Sequence, residues 1–176
     1  MARKKNNYIN NKTLYGSMIH HKSEVDASKR DNKEEPRVSN YIGESILLIC
    51  NNLAKKPNFS GYSYKQEMIS DAITDCIGAV NKFDPERTNN PFAYFTQIAW
   101  NAFIRRIQKE KRENYTKHKN MINFMTESDI VEPNVLKNND MTNNVISDFE
   151  NKLNSKKSKE KKTRKQCIGL EVFQEN

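Results

Sequence analysis

Residues 90–119, NPFAYFTQIAWNAFIRRIQKEKRENYTKHK, predict a helix whose two sides differ in chemistry. Asn90 is a good N-cap, because its side-chain oxygen can take an orphan amide of the first turn. Pro91 suits the first helical position, where its missing N–H costs nothing. At 100° per residue, Phe92, Thr96, Ala99, Phe103 and Ile107 share one side, mostly apolar and suited to a core. Tyr94, Ile98, Asn101, Arg105, Lys109 and Arg112 share the other. That second face begins aromatic, turns polar and ends basic. Stacking surface followed by cations is the chemistry that holds unpaired nucleic acid. A core helix with a solvated basic end carries the same pattern.

Upstream, KFDPERTNN (82–90) reads as a turn, with Phe83 its apolar anchor and Pro85 excluding helix. Before it, 64–81 carries a sustained apolar stripe, Met68/Ile69, Ala72/Ile73, Cys76/Ile77 and Val80, and an outer face of Lys65, Glu67, Asp71 and Asp75. Pro57 and Gly61 separate that helix from another at 41–53, where Ile42, Ser45/Ile46, Ile49/Cys50 and Leu53 recur at helical spacing behind Ser39 or Asn40 as cap. Asn11 can cap a further helix from Lys12 to about Val25, weakened by Gly16. Residues 26–37, DASKRDNKEEPR, hold almost nothing apolar and predict a linker. Amphipathic helices joined by short polar turns, with no alternating strand pattern, predict an all-α fold: a small helical bundle.

A chain of 176 residues supports one modest domain plus tails. With 35% hydrophobic and 30% charged residues it is too polar to pack along its whole length, so disordered ends are expected. The net charge of +8 favours an anionic partner. No apolar run approaches the ~20 residues of a membrane span, and MARKKNNYINN has no apolar signal core. Cys50, Cys76 and Cys167 are too few and too scattered for a disulfide framework or a metal site, and the first two read as small core residues. No metal or cofactor is expected.

Downstream of Tyr115 the apolar pattern fades. Met121, Ile122, Phe124 and Met125 allow a short helix, and Val145, Ile146, Phe149 and Leu153 another, with Pro133 between. Lys152–Lys165 holds eight Lys/Arg against one acid, Glu160, and reads as a solvated, disordered tether. Then CIGLEVFQEN gathers Ile168, Leu170, Val172 and Phe173 among acids. Apolar residues beyond such a tether have no core to join, so a terminal docking peptide is expected.

No phosphate-loop, dinucleotide-binding, zinc-protease or nucleophile-elbow motif is present. Glu67, Asp71 and Asp75 fall on one helix face at i, i+4 and i+8. They read as a solvated face, as a metal-binding cluster of a nuclease, or as a docking site for a basic protein partner, the last fitting the net charge best.

GAVNKFDPER followed by PFAYFTQIAWNAFIRRI (78–107) resembles region two of bacterial sigma factors, with Phe83, Asp84, Arg87, Phe92, Phe95, Ile104 and Arg106 at matching positions. NYINNKTLYGSMIHHKSE, NFSGY…KQEMISD and NNPFAYFTQIAWNAFIRRIQKEKRE together resemble the late-transcription sigma factors of T-even bacteriophages over most of 8–115, and GLEVFQE resembles their terminal sliding-clamp-binding peptide. The resemblance implies that Glu67, Ser70 and Asp71 contact the β′ coiled coil of host core RNA polymerase. It implies that the helix from Pro91 reads the A/T-rich element of phage promoter DNA, with Phe95 stacking on an unpaired adenine beside Phe92. Phe92, Tyr94, Phe95, Trp100, Asn101, Arg105, Arg106, Lys109 and Arg112 are the expected DNA-binding residues, and Ile168, Leu170, Val172 and Phe173 the expected clamp-binding ones. The tryptophan pair typical of primary sigma factors is Ile98 and Ala99 here, with Trp100 one residue late, and the polar base-reading positions are Ala102 and Arg105. No helix-turn-helix is read downstream, which predicts weak promoter binding without help from a clamp or a phage co-activator.

The organisation expected is an N-terminal helix and linker (1–40), a sigma-like core (41–115), a polar and basic tether (116–165) and a docking peptide (166–176). The chain would be non-enzymatic, act in the cytoplasm of the infected bacterial host and make no membrane contact. The alternatives are a metal-dependent nuclease using Glu67, Asp71 and Asp75, and a non-specific basic nucleic-acid-binding protein.

Overall fold

The computed structural model describes residues 8–127 and 140–171. The chain divides into two compact units, Met1–Ile107 and Gln108–Asn176. Its helices are α1 (Asn11–Arg30), α2 (Asn40–Ala54), the single turn α3 (Pro57–Ser60), α4 (Lys65–Ala79), α5 (Pro91–Glu127) and α6 (Asp140–Glu171), with a 3₁₀ turn at Val80–Lys82. No strand occurs among the described residues. The fold is all-α, as the periodicities require.

Capping chemistry sets the boundaries. The Asn10 Oδ1 accepts the backbone amides of Lys12 (3.0 Å) and Thr13 (3.5 Å), so α1 starts one residue before the position read from sequence. It also ends later, at Arg30, inside the stretch expected to be linker. Lys29 and Arg30 in its last turn face the negative end of the helix dipole, which favours that extension. Asn32 then takes a left-handed φ of 51°, a conformation asparagine tolerates better than most residues. Ser39 caps α2 by accepting the Ile42 amide at 3.4 Å, as expected. Asn90 caps α5 through the Ala93 amide at 3.0 Å.

In the first unit α2 packs chiefly on α4, and α1 on α2. Leu14 and Met18 from α1, Ile42, Ile46, Ile49 and Leu53 from α2, and Met68, Ala72 and Cys76 from α4 meet Phe95, Ala99, Phe103 and Ile107 from α5 in one core. The turn α3 was not expected: Pro57 opens it, and it delivers Phe59 to the core. The Phe59 ring meets Phe103 edge-on at 5.0 Å and Trp100 at 4.8 Å. Such pairs add about 0.5–1.5 kcal/mol to the burial of the rings themselves.

The helix α1 is tied to the segment between α4 and α5 by polar contacts. The amide of Asn81 bridges two side chains, its Nδ2 donating to Glu35 (2.9 Å) and its Oδ1 lying 2.9 Å from the Nε2 of buried His21. Because Glu35 can only accept, the amide orientation is fixed and the proton of neutral His21 sits on Nε2. Tyr15 donates to the Pro85 carbonyl (3.4 Å), Lys22 pairs with Asp84 (3.3 Å), and the Phe92 amide donates to Asn11 Oδ1 (3.2 Å). The Glu86 amide and Lys22 together hold the exposed Asp84 carboxyl below its ordinary range.

In the second unit the Tyr115 ring stacks on Phe149 at 4.5 Å, and its hydroxyl donates to Glu150 (3.0 Å) while accepting from Lys119 (2.8 Å). That hydroxyl, with Glu150 beside it, holds the Lys119 ammonium above its ordinary range. Two expectations are corrected here. The helix α5 does not fade after Tyr115 but runs to Glu127, and Lys152–Lys165 lies within α6 rather than in a disordered tether. Strings of Lys, Glu and Gln are good helix formers, so a helix already nucleated propagates through them without an apolar stripe. Ile168 and Leu170 fall in the last turns of α6, while Val172, Phe173, Pro133 and the basic start at 1–7 lie outside the described residues.

Candidate functional site

The helices α4 and α5 are joined face to face by four polar contacts. Tyr94 donates its hydroxyl to the Ala79 carbonyl at 3.1 Å, and the Cys76 thiol to the Phe95 carbonyl at 3.6 Å. Further along, Arg106 pairs with Asp71 at 3.2 Å and Arg105 with Asp75. The spacing explains the pairing: Asp71 and Asp75 are one turn apart on α4, so two neighbouring side chains of α5 can each reach one. The result is an acidic helix surface and a basic one that partly neutralise each other.

The core side of α5 differs from the side the sequence suggested. Phe95, Ala99, Ala102, Phe103 and Ile107 are buried, whereas Phe92 and Thr96 are only half-buried. Phe95 is fully inaccessible, with Tyr94 against its edge at 5.2 Å. It cannot stack on a base while this packing stands, and its expected role is corrected to that of a core residue. Tyr94 is corrected likewise: it sits between Phe83 and Phe95, and burial pushes its phenol up, keeping the proton that bonds Ala79. Trp100 is half-buried, with the Lys56 ammonium 6.0 Å from its ring centroid. Phe92 keeps partial exposure beside Tyr8, whose ring lies 5.8 Å away.

The polar members of the expected nucleic-acid face remain accessible. Asn101 is exposed and accepts from Gln97 at 3.1 Å, which leaves its amide hydrogens to be donated elsewhere. The Arg105 side chain is 63% exposed and that of Arg106 19%. In the second unit Lys109 and Arg112 are exposed, Lys109 standing 3.9 Å from Glu113. On α4, Glu67 and Ser70 are exposed and Asp71 half-buried. Sequence reading found these acids and arginines but not that they pair; adjacent arginines opposite acids one turn apart were the available signal. The paired thiols of Cys50 and Cys76 were also unforeseen. Their mutual hydrogen bond and their burial push Cys76 up.

Residues 55–113 match the family Sigma-70 region 2. The match spans α3, α4 and the first part of α5, and so contains both charged surfaces. It supports a sigma-like protein in the general sense, one that binds RNA polymerase and recognises promoters. No curated protein matches the chain. Among the described residues, no helix is long and apolar enough to cross a membrane, and no three His, Cys, Asp or Glu side chains are grouped to hold a metal ion.

Proposed function

We propose that this chain is an initiation factor for late transcription in a phage-infected bacterium. It binds host core RNA polymerase through the α4 surface of Glu67, Ser70 and Asp71, which the β′ coiled coil would cover. It brings that polymerase to A/T-rich late promoter elements through α5. The polymerase supplies the chemistry, and this chain selects where it begins. The observation that carries the reading is the coincidence of the Sigma-70 region 2 match with the facing acidic and basic surfaces of α4 and α5.

Asn101, Arg105 and Arg106 form the nucleic-acid surface of the first unit, with Phe92 and Trp100 as its partly exposed aromatics. Phosphate contacts from the arginines position the strand, and the Asn101 amide can donate to a base edge. Lys109 and Arg112 add cations further along the helix. The segment Ile168–Phe173 would dock on a phage sliding clamp, raising the local concentration of the factor at DNA. The likeness of residues 8–115 and of GLEVFQE to phage late sigma factors supports the viral assignment.

The test is capture of bacterial core polymerase by the full-length chain, followed by runoff transcription from phage late promoters. Initiation confined to those promoters is expected. Binding of DNA with no effect on where polymerase starts would overturn the reading in favour of a non-specific nucleic-acid-binding protein.

A further inference from the structure

We infer that α4 restrains the DNA-facing arginines of α5 in the free chain, and that a basic partner docking on α4 releases them. The inference rests on the interface proposed above and adds its regulation. Arg105 and Arg106 are each held by a carboxylate of the neighbouring helix, Asp75 and Asp71. A guanidinium in an ion pair presents less charge to a phosphate, and the carboxylate beside it repels that phosphate.

Both pairs lie at the surface. The side chains of Asp75 and Asp71 are 36% and 45% exposed, so water and salt screen the pairs and a competing ion can exchange with either partner. Asp71 is the hinge of the argument, because it belongs to two arrangements. In the free chain it accepts from Arg106; it also stands one turn from exposed Glu67 on the surface offered to a cationic partner. A basic side chain laid across Glu67 and Asp71 competes directly with Arg106 for the same carboxylate. Positive charge arriving on α4 also lowers the local negative potential felt by Arg105. Docking therefore frees cations on α5 for phosphate, and by linkage bound nucleic acid tightens docking by the same factor.

The decisive variant is Asp75→Asn, which keeps shape, removes the anion facing Arg105 and leaves Glu67, Ser70 and Asp71 in place. The full-length chain, with no polymerase, is titrated with a fluorescent single-stranded A/T-rich oligonucleotide across a salt series. Wild type is expected to bind weakly; Asp75→Asn should bind more tightly, with log K against log salt steeper by about 0.7 for the one arginine released. The gain should vanish when Arg105→Ala is combined with it. Glu44→Gln, the same charge change at an exposed site on α2, should leave the slope unaltered. An unchanged slope in Asp75→Asn, or an equal gain in the Arg105→Ala background, overturns the restraint. Adding core polymerase separates the two claims. A wild-type chain that never binds core removes the proposed function, whereas one whose DNA binding is stimulated by core no more than that of Asp75→Asn removes only the restraint.

Discussion

Replacing Phe95 by alanine tests whether its ring belongs to the protein or to a ligand. The ring is fully inaccessible, meets Tyr94 edge-on at 5.2 Å and belongs to the same core as Phe59 and Phe103. Truncating such a ring removes its transfer free energy and leaves a cavity, a combined cost of ~3–5 kcal/mol. Domains of this size are stable by only about 5–15 kcal/mol, so the loss is a large fraction of the total. At roughly 4–8 °C per kcal/mol, the thermal midpoint of the first unit should fall by at least about 12 °C. Circular dichroism during thermal and urea unfolding measures this directly. Phe95→Leu, which refills part of the space, should recover a substantial part of the loss. If Phe95→Ala melts within a few degrees of wild type and instead weakens oligonucleotide binding, the ring is a ligand surface and the burial argument fails.

Reversing Glu67 and Asp71 to lysine should weaken core-polymerase binding by ~1–3 kcal/mol each, seen as faster dissociation in surface-immobilised assays; wild-type affinity in the double variant would move the docking surface elsewhere. Tyr94→Phe should lose about 0.5–1.5 kcal/mol through the unpaired Ala79 carbonyl. Since burial raises the Tyr94 phenol above its ordinary value of 10.0, its contribution is present below that pH and lost as pH rises past it, so the gap between Tyr94→Phe and wild type should close at strongly alkaline pH. Gly16→Ala should stabilise α1 by ~0.5–1 kcal/mol, because an added Cβ meets nothing within 4 Å; a fall in melting temperature would show a contact that the free chain lacks. Deleting 168–176 should leave melting and core binding unchanged while abolishing stimulation by a sliding clamp, and a drop in melting temperature would count against a docking peptide.

The helices that bury an apolar stripe were legible because burial writes a period into the sequence. Ile42 to Leu53 and Met68 to Val80 announce themselves in this way, as does the cap at Ser39. The error on α5 has a specific cause. Phe92 and Phe95 both stand in its first turn, and each begins a helical row that continues through Ala99, Phe103 and Ile107. Periodicity alone cannot say which ring faces inward; the choice is made by tertiary neighbours, Tyr94 and Phe83 on one side and Cys76 on the other. The ends of α1 and α5 were missed for the opposite reason, since an exposed helix needs no stripe. The ion pairs between α4 and α5 join residues thirty or more positions apart, beyond any local pattern.

The Sigma-70 region 2 match begins at residue 55, yet Leu14, Met18, Ile42, Ile46, Ile49, Cys50, Leu53 and Ala54 belong to the same core and all precede it. The stretch that kinship delimits is therefore shorter than the stretch that folds. A fragment cut at the matched borders would expose the inner faces of α4 and α5 to water and lose the Asn81 bridge to His21 and Glu35. In recombination between phages, exchange of the matched segment alone would deliver a recognition surface with nothing underneath it. The smallest inheritable unit here runs from α1 through Ile107.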